Sequence, residues 1–443
     1  MMAYSKFSNP RLAAIALAAL LGMAAFAFGA LLGPRGQGAL GCLFFVAVAA
    51  VFSTNLRRVS WRTVAAGAAL QVLIALFILR FEVAGLRPGY AFFGSVATFV
   101  KRFLEFTNAG SQFVFGGLAD QSVMSKVFEG GMVFAFTALP PIIFVSSFFT
   151  VLYHFGILQV IVGLMARVMV WLMGTSGAES LSAAANVFMG QTEAPIIVKP
   201  YIPRMTQSEM LAMMIGGMAT ISGGVMAVYI ALGADPIAIL TTSVMAAPAG
   251  LYLSKILVPE IEEPLTRGEV KMAVERTHVN AIDAAASGAS DGMVLAINVA
   301  AMLIAFLAFI AFFDYLLGLL REGLSLSRVF SWVFAPVAFL MGVPAKDVPA
   351  VADLLGTKLV ANEFVAFVKL TSEYREALDP RSYALATFAL TGFANFGSVG
   401  IQLGGIGGMA PAKRSDLARL GMRALFGGFL ATLINASVAA MLI

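Results

Sequence analysis

Residues 186 to 202 read NVFMGQTEAPIIVKPYI, which sets an amide, a hydroxyl and a carboxylate (Gln191, Thr192, Glu193) in apolar sequence between Gly190 and Pro195. An ionised carboxylate at the centre of a bilayer costs about 2.5–3.5 kcal/mol even on lenient insertion scales, so it lines a wet cavity or finds a partner. Irregular backbone at that depth obeys the same condition. The glycine and proline brackets therefore predict a re-entrant hairpin that exposes backbone groups along with the three side chains. A second segment, TKLVANEFVAFV, repeats the setting with Asn362 and Glu363. Each is followed by a helix with its own interruption. After the first comes MATISGGVMAV (218–228), with the hydroxyls of Thr220 and Ser222 beside Gly223 and Gly224. After the second comes TGFANFGSVGIQLGGIGG (391–408), with Asn395 and Ser398 among glycines and two phenylalanines, Phe393 and Phe396. Glu193 to Val225 and Glu363 to Asn395 are both 32 residues apart. Two hairpins and two broken helices would then meet around one cavity.

The cavity's contents indicate its solute. Two carboxylates repel a phosphate or carboxylate substrate, and cations are few, with Lys199 beyond the turn. Hydroxyl and amide groups beside a flat aromatic face suit a neutral molecule with several hydroxyls and a planar ring. A carboxylate that accepts from two hydroxyls fits a ribose diol, and an amide pairs with a nucleobase edge.

The elements that must position these residues follow from composition. Of 443 residues, 60% are hydrophobic and 12% charged, where a soluble domain carries about a quarter charged residues. Apolar runs of bilayer-spanning length, about 17–25 residues, recur along the whole chain, without the alternation of a membrane β-barrel. Candidate spans are 12–33, 38–54, 62–80, 130–153, 207–230, 235–254, 290–320, 380–403 and 418–442, with 88–107 a helix on the outer surface. The run 12–33 ends in AFGA, small residues of the kind found at signal cleavage sites, yet it exceeds the usual apolar region of a signal peptide and reads as a first membrane helix. Lys6 and Arg11, the loop 55–62, the stretch 254–276 and the loop 411–419 fall on one side, which their basic content makes cytoplasmic. The C-terminus is then outside. Pro140 and Pro141 are expected to kink a helix, and Asp314 to reach water.

A net charge of +5 confined to short loops argues for positive-inside bias and against nucleic-acid binding. One cysteine, Cys42, excludes an intrachain disulfide framework. His154 and His278 have no HExxH spacing, and no phosphate-binding GxxxxGK[ST] loop occurs. An enzyme built on the two glutamates would lack any accompanying nucleophile or metal cluster. Energy for transport would come from an ion gradient or from the solute's own.

An internal repeat links the hairpins. VWLMGTSGAESLSAAANVFMGQTEAP (170–195) echoes VAFLMGVPAKDVPAVADLLGTKLVANEFVA (337–366), each opening on an LMG triplet and reaching a glutamate. Three predicted crossings lie between the triplets, so the second copy is inverted. Inverted repeats with interrupted helices at the midplane are a recurring construction of secondary transporters.

From SAAANVFMGQTEAPIIVKPYIP through TISGGVMAVY, VANEFVAF and GFANFGSVGIQLGGIGG the chain resembles the concentrative nucleoside transporters, over roughly residues 38–443. The resemblance implies that Gln191, Thr192 and Glu193 contact the nucleobase, with Val225 and Phe393 beside it. It implies that Glu363, Asn395 and Ser398 bind the ribose hydroxyls. A sodium site is implied at the side chain of Asn186, the carbonyls of Met189 and Ile221, and the hydroxyl of Thr220. Unwound carbonyls and half-helix C-termini suit such an ion. It further implies a homotrimer, with a scaffold and a mobile transport domain.

The expectation is an all-α polytopic membrane protein with about nine transmembrane helices, two re-entrant hairpins in an inverted repeat, and interrupted helices. Residues 1–34 form an extra helix, 35–154 scaffold helices, 155–254 the first transport repeat, 255–322 a cytoplasmic loop and central scaffold helix, and 323–443 the second repeat. The expected function is sodium-driven import of nucleosides such as uridine across the cytoplasmic membrane. The alternatives are proton coupling or a non-concentrating facilitator.

Overall fold

A computed structural model describes residues 9–124, 126–127, 133–270 and 278–443. Lys6, the basic residues of 271–276 and the first residues of the expected span 130–153 lie outside them. Among the described residues the regular elements are helices, and no strand is present. Eight helices there are long and apolar enough to cross a membrane.

Helix α1 (Asn9–Val51) leaves helical geometry at Gly33 (φ 64°, ψ 176°), just before Pro34. It folds back so that a Cβ on Gly22 would lie 3.3 Å from the Phe44 ring. The expected spans 12–33 and 38–54 are these two arms. Helix α2 (Trp61–Leu79) is capped by Ser60; α3 (Pro88–Glu105), α4 (Thr107–Phe115), α5 (Gln121–Met124), α6 (Phe134–Thr137) and α7 (Pro140–His154) follow. Pro140 and Pro141 occupy the first turn of α7, where a missing N–H costs nothing; Ala138 and Leu139 before them keep helical dihedrals, so α6 and α7 form one apolar span, Phe134–His154, interrupted at the prolines as expected.

The chain continues through α8 (Ile157–Met173), α9 (Gly177–Ala185), α10 (Ala194–Ile197), α11 (Gln207–Ala219), α12 (Gly223–Leu232) and α13 (Pro236–Leu257). After α14 (Ala281–Leu320) come α15 (Leu326–Leu340), α16 (Val348–Val360), α17 (Glu363–Ser372), α18 (Pro380–Leu390), α19 (Phe396–Met409) and α20 (Arg414–Leu442). The expected spans 207–230 and 380–403 are each split, into α11 and α12 and into α18 and α19. Helices α8 and α15 were not anticipated; at 17 and 15 residues they lie at and below the lower limit of spanning length. The two LMG triplets close these two helices. Gly174 (φ 68°) and Gly342 (φ 86°) both adopt the left-handed conformation that ends a helix, which glycine does without a Cβ penalty. Asp314 is half-exposed near the end of α14 and accepts from the Leu326 amide at 2.6 Å, at the start of α15.

Long helices pack where side chains are small. On α14, a Cβ at Gly288 would lie 2.5 Å from Thr150 Oγ1, and one at Gly292 would lie 2.7 Å from Ile143 Cα. This spacing of small residues lets helix backbones approach closely, and Ser147 Oγ donates to the Ala285 carbonyl at 2.8 Å across the seam.

The basic loops gather at one end. Arg11 donates to the Ser53 carbonyl, the Thr54 amide to the Leu257 carbonyl at 2.9 Å, and Lys413 Nζ to the Met205 carbonyl at 3.1 Å. A cavity of about 300 Å³ at this end is lined by Arg58, Lys255 and Arg267 among others. The opposite end carries the C-terminus, where Arg381 donates to the Ile443 and Ala440 carbonyls and Arg80 to that of Leu442.

The two halves run oppositely between these ends. The first hairpin starts and finishes at the basic end, where Ser176 Oγ donates to Glu209 Oε1 at 2.6 Å and Lys255 pairs with Glu179 at 2.6 Å. The second starts and finishes at the other end, closed by the Lys346–Asp379 pair at 2.8 Å and the Asp379 amide on Asp347. Arg381, in the first turn of α18, fixes that end beside the C-terminus.

Candidate functional site

Polar residues at the helix ends build the site. Ser176 and Thr206 each form a capping box, with Glu179 and Glu209, and so start α9 and α11. Both match the S/T-x-x-E signature. At the interruptions, Ser222 caps α12, Asn362 caps α17 with a 2.8 Å bond to the Val365 amide, and Asn395 caps α19 with a 2.8 Å bond to the Ser398 amide. Half-helix N-termini carry partial positive charge.

The interruptions meet. The Phe393 amide donates to the Thr220 carbonyl at 3.1 Å, and the Gly223 amide to the Phe188 carbonyl at 2.9 Å. The second bond ties the break after α11 to the tip of the first hairpin. Gly392 (φ 150°) allows the crossing, since a Cβ there would lie 3.0 Å from the Met218 carbonyl oxygen. Gly217 admits Gln191, whose Cβ would lie 2.8 Å from an added methyl, and Gly405 likewise admits Thr192 at 2.5 Å.

A chain of hydrogen bonds then joins hairpins that enter from opposite ends. Gln191 Nε2 donates to Ser398 Oγ at 3.2 Å, the Ser398 amide to Asn395 Oδ1, and Asn395 Nδ2 to Glu363 Oε2 at 2.8 Å. All four residues are buried. Tyr229 OH donates to Glu363 Oε1 at 3.2 Å, its ring stacked on Phe367 at 4.0 Å. Gln191 Oε1 has no hydrogen-bond partner among the described residues. A buried acceptor left so costs about 1–3 kcal/mol, and a donor from a bound solute would satisfy it.

Glu193 is placed differently. Its Oε2 accepts from the Gly190 amide at 3.1 Å. The residue is exposed to a cavity of about 320 Å³ between the hairpin tip, the start of α12, and Phe149, Thr150 and Asp291 of α7 and α14. Glu363 is not among the residues lining this cavity. Val225 is buried in the first turn of α12, and Phe393 is half-buried beside the crossing.

The residues expected to hold a cation lie at the same crossing. Asn186 is fully buried at the end of α9, with Nδ2 on the Ser182 carbonyl at 2.9 Å. Its Oδ1 has no partner among the described residues. A Cβ on Gly216 would lie 3.1 Å from Asn186 Nδ2, and Thr220 Oγ1 donates to the Gly216 carbonyl at 2.9 Å. Ile221 is buried and Met189 half-buried, with the bond between Gly223 and Phe188 holding their backbones together. An unpaired amide oxygen, a hydroxyl oxygen with free lone pairs and unwound backbone form an oxygen donor set, which fits a hard monovalent cation.

Sequence reasoning passed over three residues. Tyr229 gave no signal, being an aromatic in an apolar helix. Gln402 sits near Gln191 and donates to the Met214 carbonyl at 2.9 Å. Lys358 is fully buried beside the second hairpin's tip; a lysine in the apolar run before Asn362 was visible in the sequence.

Broken helices, opposed hairpins and a polar crossing at mid-depth define a secondary transporter. Family models for sodium-dependent nucleoside transporters match residues 40–118 (N-terminus) and 238–440 (C-terminus), and a nucleoside-recognition gate model matches 135–236. An uncharacterized transporter of Haemophilus influenzae is 42% identical over 91% of this chain and 97% of its own. The sodium/nucleoside cotransporter 1 of Mus musculus is 42% identical over 90% of this chain, which spans 62% of the mouse protein's length. CNTnw in an inward-facing substrate-bound state is 38% identical, with TM-score 0.87 over 92% of this chain and 97% of that one. The chain belongs to the Na⁺-dependent nucleoside transporter family, a family of membrane transporters and not of enzymes, with sodium as the coupling ion.

Proposed function

We propose that this protein is a symporter that imports nucleosides such as uridine across the cytoplasmic membrane, driven by sodium. The hydrogen-bonded chain from Gln191 through Ser398 and Asn395 to Glu363 carries this reading. Its two ends offer an amide for a nucleobase and a carboxylate for the ribose hydroxyls. Thr192 and Glu193 complete the base side, with Val225 and Phe393 against the ring. Sodium at Asn186, Met189, Thr220 and Ile221 organises the first hairpin before nucleoside closes the site. Ion and solute share the hairpin tip, so each raises the other's affinity by the same factor.

The hairpins and broken helices move as a transport domain against a scaffold of α1 to α7 and α14, in a homotrimer. The basic end faces the cytoplasm, which puts the N-terminus inside and the C-terminus outside. Uptake of labelled uridine into proteoliposomes tests the reading. Accumulation above equilibrium that collapses without a sodium gradient is expected. Accumulation driven by a proton gradient alone would replace sodium with protons, and equilibration without accumulation would make the protein a facilitator.

A further inference from the structure

One lysine is buried in the second half with no carboxylate in hydrogen-bond or ion-pair contact, although Glu363 lies near enough to act on it through space. Lys358, on α16, is completely buried. Its Nζ lies 2.7 Å from the Ala389 carbonyl oxygen, 3.0 Å from Thr432 Oγ1 and 5.6 Å from the Phe429 ring centroid. Removing an ammonium from water costs several kcal/mol, which only close compensation offsets. Ala389 is in the last turn of α18, where final carbonyls lack intrahelical partners and the helix dipole leaves about half a negative charge. Lys358 therefore sits on the negative end of a half-helix, at the interruption. An aromatic face adds to its hold.

The first half repeats the arrangement without a lysine. Its half-helix α11 ends at Ala219, and the residue that reaches its last turn from the hairpin arm is Asn186, with an unpartnered Oδ1. The two interruptions touch through the Phe393 amide and Thr220 carbonyl. So one half-helix end carries a tethered amine, and its counterpart carries an open oxygen donor.

We propose that Lys358 is a tethered cation that does in the second half what sodium does in the first. It neutralises the end of α18 and holds the Asn395–Glu363 pair in place whether or not an ion is bound. The second half then needs no ion, and a single cation accompanies each nucleoside. This inference rests on the sodium and nucleoside sites proposed above.

The test uses the full chain in lipid nanodiscs, with uridine binding measured at saturating sodium. Lys358→Met keeps the length and apolar stem of the side chain and is expected to weaken uridine binding about tenfold, within the range of a lost charge at a helix end. Lys358→Ala is expected to recover binding with added propylammonium and not with 1-propanol. An affinity of Lys358→Met equal to wild type, or the same response of Lys358→Ala to the amine and the alcohol, overturns the inference. Failure of the wild type to bind any nucleoside instead defeats the nucleoside reading and takes this inference with it. The wild type alone supplies a further check that needs no folded variant. Proteoliposome currents should carry a single net charge per uridine, and two charges would contradict a permanently filled second site.

Discussion

The first hairpin and the second share a plan and differ in how the polar groups at the crossing are satisfied. Around the first, Gln191 Oε1 and Asn186 Oδ1 have no partner among the described residues, and Glu193 opens onto a cavity of about 320 Å³. Around the second, Glu363 holds Asn395 and Tyr229, and Lys358 holds Ala389 and Thr432. Buried polar groups left unpaired are costly, and although Asp353 Oδ1 and Gln402 Oε1 in the second half are also without a partner among the described residues, the two open oxygens at Gln191 and Asn186 lie where the proposed ligands would bring the missing partners. On the proposed reading the first half responds to an ion, and the second holds its shape and presents a carboxylate.

Substitutions can break or sharpen that contrast. The largest effect is expected from Glu363→Gln, which removes the carboxylate from Asn395, Tyr229 and the sugar together. Hydrogen bonds to charged groups contribute about 1.5–3 kcal/mol each, so uridine affinity should fall about 100-fold. Titration in nanodiscs, with thermal unfolding as a control for folding, reads this directly; wild-type affinity would remove the ribose assignment. Next comes Asn186→Ala, expected to raise the sodium concentration for half-maximal uptake about tenfold, or about 1.4 kcal/mol. An unchanged sodium titration would deny the first half its ion. Gln191→Leu follows, with about a fivefold loss of uridine affinity from one neutral hydrogen bond. The smallest change belongs to Tyr229→Phe, where one bond to Glu363 is lost and the ring stays stacked on Phe367. About a threefold loss of affinity is expected, with the sodium dependence unmoved; a shift in sodium dependence would link the halves more tightly than the contrast allows.

Much of this was legible in the sequence because membranes punish polar residues. Gln191, Glu193, Asn362, Glu363 and Asn395 stood out against apolar surroundings, and glycines and prolines marked the interruptions. The inverted repeat was visible through its LMG triplets, which turned out to be helix ends held by left-handed glycines. Elements whose signals resemble ordinary packing were harder. Helix α15 is too short to register as a span, and α8, at 17 residues, sits at the lower limit. The capping boxes Ser176–Glu179 and Thr206–Glu209 follow a plain spacing rule that was available. Tyr229 could be found only in three dimensions, since its hydroxyl gains meaning from Glu363, 134 residues away.

Sodium and nucleoside meeting where the two interruptions touch is the claim on which the rest depends. Uridine binding to the purified protein, titrated at a series of sodium concentrations together with the converse titration of sodium at fixed uridine, tests it most directly. The account predicts that each ligand tightens the other by one and the same factor, and that Asn186→Ala moves this gain to about tenfold higher sodium. Uridine affinity that stays constant as sodium is varied would contradict it.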